Sequence, residues 1–284
     1  MKKREIAALG FQKLESNLQC PICSADLNVV DSNRLVCVKR HSYDLAKQGY
    51  VNMLQKQVSS MYDQDLFDAR YNIISVHNLY KIIHQKIADI INALPNENRL
   101  IFDAGSGEGS HLRSIIKLVD KDNTHGIGLD ISKDGVLLAS KNYSHENWVV
   151  GDLSRTPFKE SSIDVILSYL SPANYEEFQR ILKPNGILIK VIPGSKYLKE
   201  IRETLAGDSQ EYENTDTLEL MRNKVDVISE ERITYEVELA SVALKDLIKM
   251  TPLGWHVSQQ EIKDFTETSS KIITVDLHII QAKY

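Results

Sequence analysis

The stretch LIFDAGSGEG, Leu100–Gly109, decides the reading of this chain. An apolar run suited to a buried strand, LIFDA, passes directly into glycines at alternate positions, Gly105, Gly107 and Gly109. HLRSIIKLV follows, with apolar residues at helical spacing. Glycine tolerates the positive φ of a tight strand-to-helix turn and lets the backbone approach a ligand where a side chain would block it. Dinucleotide-binding folds use a similar loop, G-x-G-x-x-G, in the same place, so the loop alone leaves the ligand open.

Working outward, further strand candidates are HGIGLD (125–130), WVVGD (148–152), DVILSYL (164–170) and GILIKVI (186–192), alternating with helical segments such as DGVLLASKN and YEEFQRILK. Nearly all-apolar strands separated by helices predict an α/β fold with a parallel sheet covered on both faces. Acids close three successive strands: Asp103, Asp130 and Asp152. Asp103 lies two residues before the first glycine and suits the ammonium region of a methionine moiety, Asp130 suits both hydroxyls of a ribose, and Asp152 suits an adenine amino group. That set and the G-x-G-x-G spacing favour S-adenosylmethionine over a nicotinamide cofactor lying across the carboxyl edge of the sheet. Taken singly, Asp130 or Asp152 reads as a helix N-cap. LKPNGILIKV, a helix-stop turn before a buried strand, completes the pattern of a Rossmann-like class I methyltransferase domain.

The N-terminal part has a different character. Cys20, Cys23 and Cys37 are the only cysteines of the chain, and with His41 they form Cys20-x2-Cys23-x13-Cys37-x3-His41. Three thiolates and an imidazole in two knuckle-like pairs suit a closed tetrahedral zinc site, structural because no position is left open. The other reading is three buried cysteines beside an unrelated surface histidine. Two short β-like runs, LNVV and RLVCV, lie within this small zinc-ribbon-like module, whose core is too slight to stand without metal. The expected organisation is an N-terminal extension over 1–19, partly helical; the zinc module over 20–56; a linker over 57–70, with VSSMYDQD at its centre; and the methyltransferase domain over 71–284. A helical pattern runs from about Leu66 to Asn92.

The 284 residues are 42% apolar and 26% charged, which excludes a disordered or collagen-like chain. The opening IAALGF is too short for a signal-peptide core, and no later run reaches the length of a membrane span, so a soluble cytoplasmic protein without membrane contact is expected. The net charge is −5, yet residues 1–60 hold 9 Lys and Arg against 5 Asp and Glu. A polyanion would meet that part first, although an excess of this size also arises on an ordinary surface.

From CPIC at Cys20 through CVKRHSYDLAKQGYVNML, Ala69–Arg70, DAGSGEG, GLDIS, SYLSPANYEEF, LKPNG, PGSKYL and KMTPLGW at Lys249–Trp255, the chain resembles the bacterial 23S ribosomal RNA (guanine-N1)-methyltransferases, including the tylosin-resistance branch. The resemblance implies a zinc ribbon that helps to recognise an rRNA hairpin, a homodimer, and structural Zn2+ on Cys20, Cys23, Cys37 and His41. It implies cofactor contacts at Tyr80, Gly107, Glu108 and Asp130. Tyr197, in PGSKYL, stands where the family often has histidine and is a further candidate for a cofactor contact. Ser106 stands where a cysteine is frequent, and the first 15 or so residues inherit no role.

Chemistry narrows the acceptor further. Cytosine C5 methylation needs a cysteine in the catalytic domain, and none follows Cys37; the Asp/Asn-Pro-Pro-aromatic motif of exocyclic amine methylation is also missing. Ring nitrogen remains. Pro172 and Asn174 follow the fourth strand of the domain, where an acceptor base would sit; Asn174 could bond a guanine edge or simply stabilise its loop. Lys39, Arg40, Tyr43, Lys47 and Tyr50 mix cations and rings as an RNA-binding face does, while Tyr43 and Tyr50 equally suit the core of the module. Two rivals stay open: a methyltransferase for a small molecule or protein, and a non-catalytic RNA-binding assembly factor with this fold.

Overall fold

The structure, a computed structural model, describes residues 1–56, 63–95, 98–119, 123–206, 215–254 and 257–284. Helix α1 (Lys3–Lys13) leads into a small sheet of β1 (Leu27–Val30), β2 (Arg34–Cys37) and β3 (Ser42–Asp44), after which β4 (Tyr50–Asn52) leaves it. Helices α2 (Gln64–Tyr71) and α3 (Lys81–Asn92) precede the main alternation: β5 (Arg99–Ala104), α4 (Ser110–Ile116), β6 (Thr124–Asp130), α5 (Lys133–Asn142), β7 (Asn147–Val150), β8 (Ile163–Tyr169), α6 (Tyr175–Ile181) and β9 (Leu182–Pro193). Then come α7 (Lys199–Ile201), α8 (Thr215–Arg222), β10 (Asp226–Ala240), α9 (Ser241–Met250), α10 (Gln259–Thr266) and β11 (Ser270–Lys283).

The large sheet has the order β10-β11-β9-β8-β5-β6-β7-β4. From β9 to β4 it is parallel, and β5 and β8 are buried along their whole length because helices cover both faces. One face carries Ile83, Ile87, Leu112, Trp148 and Leu247, the other Phe102, Phe158, Ile166 and Phe178. The chain runs outward from β5 through β6 and β7, then returns to β8 and β9 on the other side. Strand order therefore reverses between β5 and β8, and the loops leaving those two strands flank the crevice that such a reversal opens.

Four expectations change in detail. The sheet is mixed, since β11 pairs antiparallel with β9 and β10 with β11. The helical pattern of 66–92 is two helices: a π-helical turn at Asn72–Val76 and a left-handed Asn78, φ +53, divide it. Of the expected linker, residues 57–62 lie outside the described residues, while Asp63 caps α2 by accepting from Leu66 N at 2.8 Å. Trp255, in KMTPLGW, also lies outside them. Finally, the cysteine-bearing segment is built into the large sheet: β4 pairs with β7, Tyr50 opposite Trp148. The N-terminal lead-in is the helix α1, which buries Ala7, Ala8 and Phe11, and Asn147 of β7 donates to Ala7 O at 3.1 Å. Among the described residues no helix is long and apolar enough to cross a membrane.

Candidate active site and metal centre

The turn after β5 has the conformation that its glycines require. Gly105 stands at φ +80 and Gly107 at φ +55; a Cβ on Gly105 would lie 2.8 Å from Ser171 Cβ, and one on Gly107 would lie 3.3 Å from Phe67 Cε1. At the end of β5, Asp103 is buried, and its Oδ2 has no hydrogen-bond partner among the described residues. Burial pushes this carboxyl up to about 7, against the opposing pull of the Arg70 guanidinium. A buried acceptor without a donor is the feature a ligand ammonium would complete. Asp130, at the end of β6, accepts from Gly107 N at 2.8 Å and Ser132 N at 2.7 Å, which ties the second strand end to the glycine loop. The residues present thus fit S-adenosylmethionine: a cation acceptor, a glycine cradle and a second carboxylate lie along one strand edge.

Glu108 is fully buried and pairs with Arg70 of α2 at 2.8 Å, so its expected cofactor contact comes with an ion pair to the neighbouring helix. Arg70 acts electrostatically on Asp103, Glu108 and Asp130 together. In the sequence Ala69–Arg70 is a motif without an evident task; the packing of α2 over the loop sets this arginine among three acids. Asp152, just past the end of β7, is exposed and accepts from Ser154 N at 2.8 Å. Gly109, at φ +80, opens α4.

Tyr80 belongs to a buried aromatic cluster whose other members, Tyr169, His84 and His111, the sequence did not announce. Tyr80 Oη and Tyr197 Oη are 2.6 Å apart, so the tyrosine at the family's histidine position is joined to the predicted Tyr80 contact. Tyr80 stacks edge-on against Tyr169, and Tyr169 lies flat on His111 with ring centroids 3.7 Å apart. His84 Nε2 and His111 Nδ1 meet at 2.8 Å, and burial holds both imidazoles well below their ordinary range, hence neutral. Asn174 is half-buried and its Oδ1 accepts from Glu177 N at 3.1 Å, capping α6.

The metal ligands come together. Ligand atoms of Cys20, Cys23, Cys37 and His41 all lie within 4.8 Å of one another. Cys23 Sγ to Cys37 Sγ is 3.7 Å, and His41 Nδ1 is 3.5 Å from Cys20 Sγ and 3.4 Å from Cys37 Sγ. Tetrahedral zinc, with Zn–S of about 2.3 Å and Zn–N of about 2.0 Å, sets sulfur–sulfur edges at about 3.8 Å and sulfur–nitrogen edges at about 3.5 Å. The cluster has the dimensions of a closed structural zinc site. Tyr43 Oη, 3.2 Å from Cys20 Sγ, buttresses it.

That burial corrects one expectation: Tyr43 and Tyr50 are 8% and 7% exposed, one against the cysteine cluster and one in the main core, so neither ring is available to stack on a base. Lys39, Arg40 and Lys47 are exposed beside them.

Residues 18–59 match the zinc-ribbon family described as RlmA, N-terminal, and residues 101–186 match the family described as a methyltransferase domain. A Bacillus subtilis (strain 168) protein whose provisional name is 23S rRNA (guanine-N(1)-)-methyltransferase YxjB is 38% identical over 271 residues, spanning 93% of this chain and 96% of that protein. The 23S rRNA (guanine(748)-N(1))-methyltransferase of Streptomyces fradiae is 27% identical over 250 residues, 86% of this chain and 88% of that enzyme. With the zinc cluster, the glycine loop and the acids on one strand edge all present, and with identity at this level through both modules, this chain belongs to the 23S rRNA (guanine-N1)-methyltransferase family.

Proposed function

We propose that this chain methylates N1 of a guanine in a hairpin of 23S rRNA, in the cytoplasm and as a homodimer. The observation that carries the reading is the match to named relatives through both the zinc ribbon and the catalytic domain. When bound, S-adenosylmethionine supplies a methyl group on a sulfonium, open to in-line displacement. The protein's task is then alignment and exclusion of water. Asp103 holds the ligand ammonium, Asp130 the ribose, and Tyr197 closes the far wall, backed by the fully buried Tyr80. Methyl transfer to N1 would release S-adenosylhomocysteine, and the N1 proton would pass to solvent water. Asn174, with Oδ1 engaged in its helix cap, presents its amide Nδ2 to the guanine edge. Lys39, Arg40 and Lys47 meet hairpin phosphates from the zinc module, and a looped base splays out without melting a long duplex.

N1 methylation blocks Watson–Crick pairing, so reverse transcriptase should stop one nucleotide before the site on wild-type rRNA. The stop should vanish in a deletion strain and return when purified enzyme and S-adenosylmethionine act on unmodified rRNA. A stop that persists without the gene, or methyl label in protein or a free metabolite, refutes the substrate assignment.

A further inference from the structure

β9 carries one charge in an otherwise apolar run: Gly186–Ile192 is buried throughout, and Lys190, 4% exposed, is its only polar side chain. Its ammonium meets no carboxylate among the described residues. Instead Nζ donates to Ser168 Oγ at 3.0 Å and to Ser171 O at 2.7 Å. Ser168 Oγ lies 3.1 Å from Ser171 Oγ, and Ser171 Oγ donates to Ala104 O at 2.6 Å. One side chain on β9 thus reaches, through the turn that ends β8, to the last residue of β5. These are the two strand ends at which the sheet reverses, one opening the cofactor loop and the other the loop of Pro172 and Asn174.

The turn itself is strained. Leu170 takes φ +51, a left-handed conformation that a leucine adopts only where its surroundings hold it, and its N–H donates to Val191 O at 3.1 Å. The bare Cα of Gly105 admits Ser171 Cβ at close range. A buried ammonium held by neutral acceptors without a counter-charge is costly, so packing alone does not explain the lysine. Burial pushes the ammonium down to about 8, which leaves most of it charged at neutral pH.

We propose that Lys190 is a positioning residue for methyl transfer: through the Ser171 carbonyl and the Ser168–Ser171 hydroxyl pair it locks Leu170–Asn174 against the cofactor loop, setting the distance between acceptor base and methyl donor. The proposal rests on the reading of Pro172 and Asn174 as the base-facing loop. It does not make Lys190 a contact of either substrate, so its loss should separate binding from transfer.

The test uses the zinc-loaded full chain, S-adenosylmethionine and unmodified 23S rRNA transcript, with Lys190→Met and Ser171→Ala. Affinity for each substrate should stay within about 2-fold of wild type, while the single-turnover rate falls about 100-fold in Lys190→Met, the scale of an ångström's misplacement. Backbone amides of 170–174 should exchange faster in that variant. A wild-type transfer rate overturns the proposal, as does a rate loss matched by equal losses of both affinities. If Lys190→Met does not fold, Ser171→Ala decides: an unchanged rate overturns the proposal. If wild-type protein methylates no RNA, the function reading fails by itself, and exchange at 170–174 still decides the loop claim, unchanged protection refuting it.

Discussion

If Asp103 holds the ligand ammonium, cofactor affinity should depend on pH near neutrality. Its carboxyl is pushed up to about 7 by burial, and its Oδ2 awaits a donor. If the ionised form alone holds the ligand ammonium, about 9% of the protein is competent at pH 6 and about 76% at pH 7.5, a rise of about 8-fold in apparent affinity. This window ends below the titration of an ordinary α-amino group, near pH 7.7–8.0, so the ligand contributes little of the slope. Asp103→Asn should flatten the dependence and, at pH 7.5, cost the charged hydrogen bond, about 1.5–3 kcal/mol or roughly 10- to 150-fold in Kd. The sign for stability runs the other way. The native state retains a proton that the unfolded chain releases between about 4 and 7, so without ligand the protein should lose stability as pH rises through that window, and Asp103→Asn should lose less. Isothermal titration calorimetry from pH 6 to 7.5, with thermal unfolding alongside, measures both. An unchanged slope in Asp103→Asn would show that another group titrates, and unchanged affinity at pH 7.5 would remove Asp103 from the site.

Cys23→Ser should lose the bound zinc, one ion per chain in wild type, and unfold the cysteine-bearing sheet while the larger domain still binds cofactor; metal analysis and circular dichroism check this, and a folded module after chelation contradicts it. Gly107→Val places a β-branched residue at φ +55 with its Cβ 3.3 Å from Phe67 Cε1, so cofactor binding should fall below detection in calorimetry while the fold persists. Charge reversal of Lys39, Arg40 and Lys47 together should weaken rRNA binding and lower the salt slope of log K by about 2–3, whereas S-adenosylmethionine affinity stays constant. Equal salt slopes would place the phosphate contacts elsewhere.

What the sequence revealed follows the range of the forces involved. Metal ligation and tight turns are local, so Cys20-x2-Cys23 and Gly105, Gly107 and Gly109 declared themselves by spacing. Strands buried on both faces read as apolar runs, and β5, β6 and β8 were found that way. The edge strands failed that test: β10 alternates half-buried Ile233, Tyr235 and Val237 with exposed neighbours, a period-2 signal masked by its charges. Tyr43 and Tyr50 carried a composition that surface and core share, and burial decided for the core. Arg70 and Lys190 depend on contacts across distant segments, Arg70 with Glu108 and Lys190 with Ser168 and Ser171. No spacing rule reports these contacts, although a lone lysine inside ILIKVI breaks its own pattern.

The same long-range contacts bear on how the zinc ribbon is used. A recognition module on a flexible tether would have to pay for its ordering each time RNA bound. Here β4 leaves the zinc ribbon and pairs with β7, placing Asn52 opposite Val150, while β7 pairs on its other side with β6, Val150 opposite Asp130. Only one strand therefore separates the zinc-module segment from that carboxylate. Above this joint α1 braces both parts: a Cβ on Gly49 would lie 3.1 Å from Lys3 O, and one on Gly10 would lie 2.5 Å from Asn147 Oδ1. Phe11 and Leu18, both fully buried, share a core with Leu27 and Leu35 of the small sheet, Phe102 of the large one, and Phe158 in the connection from β7 to β8, which bridges Leu18. The brace lies ahead of residue 18, where the zinc-ribbon match begins, and its cost in ordering is met on folding rather than on binding.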